Sequence, residues 1–185
     1  MERKDGRYRV SNPESTYFLT LTIKGHCQVF GREKYCSAAI DSLRYCIDEK
    51  GLRVYAWVLM PDHLHIIAKA ENGNLPSIIR SFKVNTTKHI ISGLKHDNEE
   101  WEKEMLRIFG FWGKLNPKNE NYQVWDSGYY AKECASSGFL IQKIDYIHNN
   151  PVRAELAARP EGFLYSSARD YFGGKGILPV VKPFK

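Results

Sequence analysis

The chain has 185 residues, 43% of them hydrophobic, and a formal net charge of +6. That length and apolar share suffice to bury a core, most simply as one domain over 1–185, and the basic excess points to a polyanionic partner, with nucleic acid favoured. No apolar run approaches bilayer length, and Cys27, Cys36, Cys46 and Cys134 include no C-x-x-C pair, so neither a zinc knuckle nor a disulfide framework is suggested. The opening residues, Met1 to Arg7, lack the apolar stretch of a signal peptide, so a cytoplasmic protein with no membrane partner is expected.

In chain order, the first dozen residues are charged and expected to be mobile. Thr16 to Ile23 alternates Thr or Tyr with larger apolar groups, the pattern of a strand with one drier face. Glu33 to Glu49 spaces Cys36, Ala39, Ile40, Leu43 and Ile47 along one helical face, and Gly51 is placed to cap that helix. Arg53 to Met60 is apolar on both faces, which predicts a strand in the middle of a covered sheet. Pro61-Asp62 supplies turn chemistry, and His63 to Lys69 returns as the second arm of a hairpin, with Leu64, Ile66 and Ala68 toward the core.

A second helix is predicted from about Leu75 to Leu94, opened by Asn74 and Pro76, with Ile78, Ile79, Phe82 and Ile90 inward. Residues 96–121 read as an insertion, a short helix through Phe109 followed by a mobile loop from Gly110 to Asn121. Tyr122 to Trp125 begins a strand-like piece that takes in Tyr129 and Tyr130. Gly138 to Asn149 returns to helical spacing with Leu140, Ile141, Ile144 and Ile147 inward, and Pro151 is expected to stop it. The remainder, with a tail over 173–185, has turns at Pro160-Glu161-Gly162 and Gly173-Gly174 and is expected to wrap the domain. This order predicts an α+β fold, a ferredoxin-like antiparallel sheet with helices on one face and a further C-terminal helix.

Chemistry enters where side chains share a face. Residues two apart on a strand point the same way, so His63 and His65 present both imidazoles to one side and can share a metal ion. On the last helix Tyr146 and Asn150 are one turn apart on a common face. Arg80, Lys83 and Lys88 lie off the apolar stripe of their helix and, with Lys95, can face phosphates; a solvated helix face explains each of them equally well. Tyr122 and Trp125 suit base stacking or core packing, and Asp62 suits either metal contact or the turn after Pro61. Tyr129 and Tyr130 are rival phenols to Tyr146, although a strand position favours packing. No P-loop or dinucleotide fingerprint is present, so no nucleotide cofactor is expected.

Three dispersed motifs carry a resemblance: Trp57-Val58-Leu59-Met60-Pro61-Asp62 leading into His63-Leu64-His65, the helix Asp145-Tyr146-Ile147-His148-Asn149-Asn150-Pro151-Val152-Arg153-Ala154, and Leu164-Tyr165-Ser166-Ser167-Ala168. Over a core of about 16–172 the chain resembles the HUH single-tyrosine transposases, closest to the REP-associated branch. The resemblance implies that His63, His65 and Asn150 hold a divalent ion, usually Mg²⁺ or Mn²⁺. Asn150 is shorter than the Gln of some relatives, and two nitrogen ligands alone would suit zinc equally. It also implies that Tyr146 is the nucleophile and that single-stranded or hairpin DNA is the partner. Arg80, Lys83, Lys88, Lys95 and Arg153 are then the candidate DNA-binding cations. The expected activity is metal-dependent nicking and strand transfer through a 5′-phosphotyrosine, by a monomer or a homodimer. Two other readings stay open: a non-catalytic hairpin-binding derivative, and a metal-dependent hydrolase that uses water with Tyr146 incidental.

Overall fold

The computed structural model describes residues 10–97, 99–117 and 121–183. Of the regions expected to be mobile, residues 1–9 and 118–120 lie outside the described residues, as do 184–185 of the tail. The elements run β1 (Tyr17–Thr22), α1 (Glu33–Lys50), β2 (Leu52–Met60), β3 (His63–Ala70), α2 (Leu75–Asp97), α3 (Glu100–Lys114), β4 (Tyr130–Glu133), α4 (Ser137–Arg153) and the short α5 (Ala168–Tyr171). All strand pairs are antiparallel and the sheet order is β2-β3-β1-β4, the ferredoxin-like arrangement. Gly51 ends α1 with φ +68°, a left-handed geometry that glycine adopts at no steric cost, and its N–H donates to the Cys46 carbonyl.

Two apolar layers sandwich this sheet. Leu19, Leu21, Leu64, Ile66 and Ala68 pack with α1 and α2 on one side. On the other, Phe18, Ala56, Val58, Met60 and Ile67 meet Ile144 and Ile147 of α4. The helix carrying Tyr146 therefore crosses the strand face that carries the histidines; within the sheet α4 packs chiefly on β2 and also on β3.

Several expectations are corrected. The strand Arg53 to Met60 lies at the end of the ladder, not its middle, yet its outer edge is covered: Leu59 N–H donates to Tyr165 O at 2.9 Å, Ser167 N–H to Trp57 O at 3.0 Å, and Val181 N–H to Val54 O at 2.8 Å. A bulge between Val54 and Ala56 makes Tyr55 the extra residue. Strict alternation would group Val54 with Ala56 and Val58; instead Leu52, Val54, Trp57 and Leu59 join one layer while Ala56, Val58 and Met60 join the other.

The loop expected from Gly110 is helical as far as Lys114. Gly113 marks close approach, not freedom: a Cβ there would sit 2.4 Å from the Asn121 carbonyl oxygen. Buried Glu102 faces Arg32 at 3.3 Å and Lys34 at 3.6 Å, tying α3 to the start of α1. The strand expected at Tyr122–Trp125 makes only a bridge, Ile23 to Trp125, and pairing resumes at Tyr130. Pro151 does not stop α4, which continues to Arg153; Ala154 N–H donates to Asn150 O at 3.0 Å. Ile141 is exposed, not inward. No helix among the described residues is long and apolar enough to cross a membrane.

Candidate active site

The site begins with β3, whose pleat brings the His63 and His65 rings within 4.5 Å of each other, centroid to centroid. Each ring is held through Nδ1. His65 Nδ1 lies 2.9 Å from Thr20 Oγ1 on the neighbouring strand, and His63 Nδ1 lies 2.5 Å from Asp62 Oδ1. With Nδ1 engaged in both rings, Nε2 is the nitrogen left for another partner. Burial holds the His65 imidazole down to about 3, helped by the charges of His63, Lys143 and Arg153, so that ring is neutral at physiological pH and keeps a ligating lone pair. Burial alone would raise the Asp62 carboxyl; hydrogen bonds from His26 and His63 outweigh it and hold the group below its ordinary value.

Tyr146 arrives from α4. Its ring centroid is 5.3 Å from that of His65 and 5.9 Å from that of Phe18, edge-on to both. Two cations flank the phenol ring, Arg153 Cζ at 4.4 Å and Lys143 Nζ at 5.1 Å from its centroid, and Arg153 also donates to the Tyr146 carbonyl at 3.1 Å. Asn150 is half-buried on the same helix, in helical backbone despite the proline that follows.

The helix is held in place by the tail. His148 is buried, and its Nε2 shares a hydrogen bond with Ser167 Oγ at 2.9 Å. That oxygen also accepts from Trp57 N–H at 2.9 Å. Tyr171 packs its ring 4.8 Å from His148 and donates its hydroxyl to the carbonyl of Tyr55, the bulged residue. Leu164 to Ala168, distinctive in sequence, thus closes the β2 edge and anchors α4.

Two imidazoles with fixed Nδ1 partners stand side by side, donors suited to a borderline divalent ion, and Asn150 lies one turn beyond Tyr146 on α4. Among the described residues no group of three or more His, Cys, Asp or Glu side chains is placed to hold a metal; His63 and His65 stand as a pair.

Of the candidate cations, only Arg153 lies with the tyrosine. Arg80, Lys83 and Lys88 are on α2, in the opposite layer, where they line a groove of about 940 Å³ with Tyr122 and Tyr129. Lys83 Nζ donates to the carbonyls of Asp126 and Gly128 at 2.9 and 2.7 Å, and Lys95 Nζ lies 5.1 Å from the Tyr122 ring centroid. Trp125 is core: it is buried against Phe30 and Phe82 and donates to Thr86 Oγ1. Tyr130 pairs with Thr20 on the histidine face, its ring 6.1 Å from that of Phe18, whereas Tyr129 packs on the opposite layer.

Comparison with known proteins gives this arrangement a family. The model described as "Transposase IS200 like" matches residues 12–150, a span that includes His63, His65, Tyr146 and Asn150. The chain belongs to the IS200-like transposase family. A REP-associated tyrosine transposase solved bound to a REP hairpin is similar in fold to this transposase, with a TM-score of 0.62 at 16% identity, over 100% of this chain and 94% of the other. A structure from Deinococcus radiodurans R1 described as a transposase aligns at a TM-score of 0.46 and 22% identity, over 80% of this chain and 97% of that one. No curated protein matches the chain.

Four participants in this transposase's site were missed in the sequence. Thr20 was within reach, because alternation in β1 puts it on the face opposite Leu19 and Leu21. Lys143 was also within reach, since the helical repeat puts it three residues before Tyr146 on the same face, and Ser167 lies in the Leu164 to Ala168 motif although no contact was assigned to it. His26, in the segment after β1, carries no periodic signal.

Proposed function

We propose that this transposase is a metal-dependent single-stranded DNA nickase and strand transferase acting on hairpin-forming DNA in the cytoplasm, its core of about 16–172 forming one domain. The observation that carries the reading is the packing of the Tyr146 phenol against His65, from a helix that crosses the histidine face. In this reading His63, His65 and Asn150 hold Mg²⁺ or Mn²⁺, which when bound draws charge from the non-bridging phosphate oxygens. The hydrogen bonds to Thr20 and Asp62 fix both imidazoles so that they need not reorganise during the reaction.

Tyr146 Oη attacks the scissile phosphorus. The new O–P bond forms as the bond to the 3′ oxygen breaks; the phenol proton passes to water and the departing 3′ oxygen takes one up from water, so the DNA is left with a free 3′ hydroxyl and its 5′ phosphate on the tyrosine. The phosphotyrosine conserves the bond for rejoining, so no nucleotide is consumed. Lys143 and Arg153 place positive charge beside the ring, where the phosphate must dock. The REP-hairpin complex of the similarly folded transposase supports hairpin DNA as the substrate class.

The test uses hairpin oligonucleotides labelled at the 5′ or the 3′ end, incubated with the protein and Mn²⁺ and resolved under denaturing conditions. A protein–DNA adduct formed by wild type and lost in Tyr146→Phe is the expected result. Cleavage by Tyr146→Phe without an adduct would establish the hydrolase reading instead, and binding without cleavage a non-catalytic hairpin-binding protein.

A further inference from the structure

Asp62 does more than turn the β2–β3 hairpin. One carboxylate oxygen accepts from His63 Nδ1 at 2.5 Å and the other from His26 Nδ1 at 2.7 Å, so a single carboxylate links the two imidazoles. His26 is 76% exposed, whereas Asp62 and His63 are near 20%, so the link runs from the surface inward. The loop that presents His26 is pinned to the hairpin turn by backbone hydrogen bonds: Ile23 N–H donates to Asp62 O at 2.8 Å and Phe30 N–H to Pro61 O at 2.9 Å. His26 itself adopts φ +53°, a left-handed conformation uncommon for a side-chain-bearing residue, immediately after Gly25 at φ +69°. A loop-borne histidine is thus held in an unfavoured backbone state with its ring against Asp62.

We propose that His26 and Asp62 are positioning residues for the metal site: Asp62 fixes His63 in the tautomer with Nδ1–H, leaving Nε2 as the ligating atom, and His26 holds Asp62 in place through its second oxygen. The inference rests on the metal-site reading above and extends it to two residues outside the ligand set. A carboxylate behind a ligating imidazole orients the ring and raises its basicity, and losing such a partner costs about 10- to 100-fold in metal affinity. A side chain that merely shapes the turn would leave that affinity unchanged.

The experiment is calorimetric titration of Mn²⁺ into the full chain without DNA, with metal-free melting curves for every variant. His63→Ala should abolish binding. Asp62→Asn should weaken it about 10-fold or more, and His26→Ala by a smaller factor that still exceeds about 2-fold. His26→Asn should restore near-wild-type affinity, since Asn supplies a donor where Nδ1 stood and tolerates the left-handed backbone. If Asp62→Asn lowers the metal-free melting temperature sharply, the exposed His26 pair carries the test alone. Affinities of Asp62→Asn and His26→Ala within about 2-fold of wild type, with binding lost in His63→Ala, would overturn the proposal and leave the metal site standing. A His26→Ala defect that His26→Asn fails to repair would also overturn it. Absence of Mn²⁺ binding by wild type would overturn both the proposal and the metal-site reading.

Discussion

At the scale of single residues the proposed site sorts into the phenol expected to react and the groups that surround it. Tyr146 is the phenol packed on His65, while Tyr130, across β1, stands edge-on to Phe18. Tyr130→Phe is accordingly expected to retain the protein–DNA adduct that Tyr146→Phe loses, in the same gel assay. Lys143 and Arg153 flank the phenol without contributing a nucleophile. Replacing either with Ala should slow nicking roughly 100- to 1,000-fold at saturating DNA, as for loss of one preorganised charge stabiliser. Single-turnover rates check this, and an unchanged rate in both variants would remove the two cations from the reaction.

At the scale of elements the decisive contact is between α4 and the sheet. Ile144 and Ile147 supply its apolar footing, and the His148–Ser167 pair fixes it to the β2 edge. Ser167→Ala strips buried partners from His148 and from Trp57 N–H, and is expected to cost about 1–3 kcal/mol in denaturant unfolding. The same docking makes the fold acid-sensitive. Burial pushes the His148 imidazole from its ordinary value of 6.5 down to about 4. Between those values the unfolded chain takes up a proton that the folded chain refuses, so stability falls as pH drops from about 6.5 toward 4 and levels off below. The slope is up to about 1.4 kcal/mol per pH unit for this group. His65, held at about 3, adds the same sign over a slightly wider window. Unfolding midpoints measured from pH 7 to pH 4 should show this decline, and His148→Gln should flatten part of it.

At the scale of the whole molecule the sheet separates two surfaces. The tyrosine and histidines lie on one face, and the groove with Arg80 and Lys88 lies beside α2 in the other layer. If that groove carries DNA backbone, Arg80→Ala with Lys88→Ala should weaken hairpin binding and reduce the slope of log affinity against log salt by about 1.5–2, at an unchanged single-turnover rate. A salt slope equal to wild type would mean that these residues form only a solvated helix face. The element order and the ferredoxin-like class were legible because both helical faces and the β1 alternation are local periodic signals. Tyr55 defeated that reading, since one inserted residue reverses the parity of everything before it. Gly110 and Gly113 defeat it differently: glycine in sequence signals a loop, yet both lie in α3, and Gly113 is small because Asn121 presses against it.

By itself the sequence determined which side chains share a face: His63 with His65 through the strand repeat, and Tyr146 with Asn150 through the helix repeat. The tertiary structure alone decided that these two faces meet, because Phe18, Val58 and Ile67 form an apolar floor that α4 covers with Ile144 and Ile147, flanked by Leu140 and Tyr146. It alone brought His26 to Asp62 and Ser167 to His148, contacts between segments far apart in the chain. Periodicity records how a residue stands relative to its neighbours; which distant segment covers that face is set by chain topology and burial.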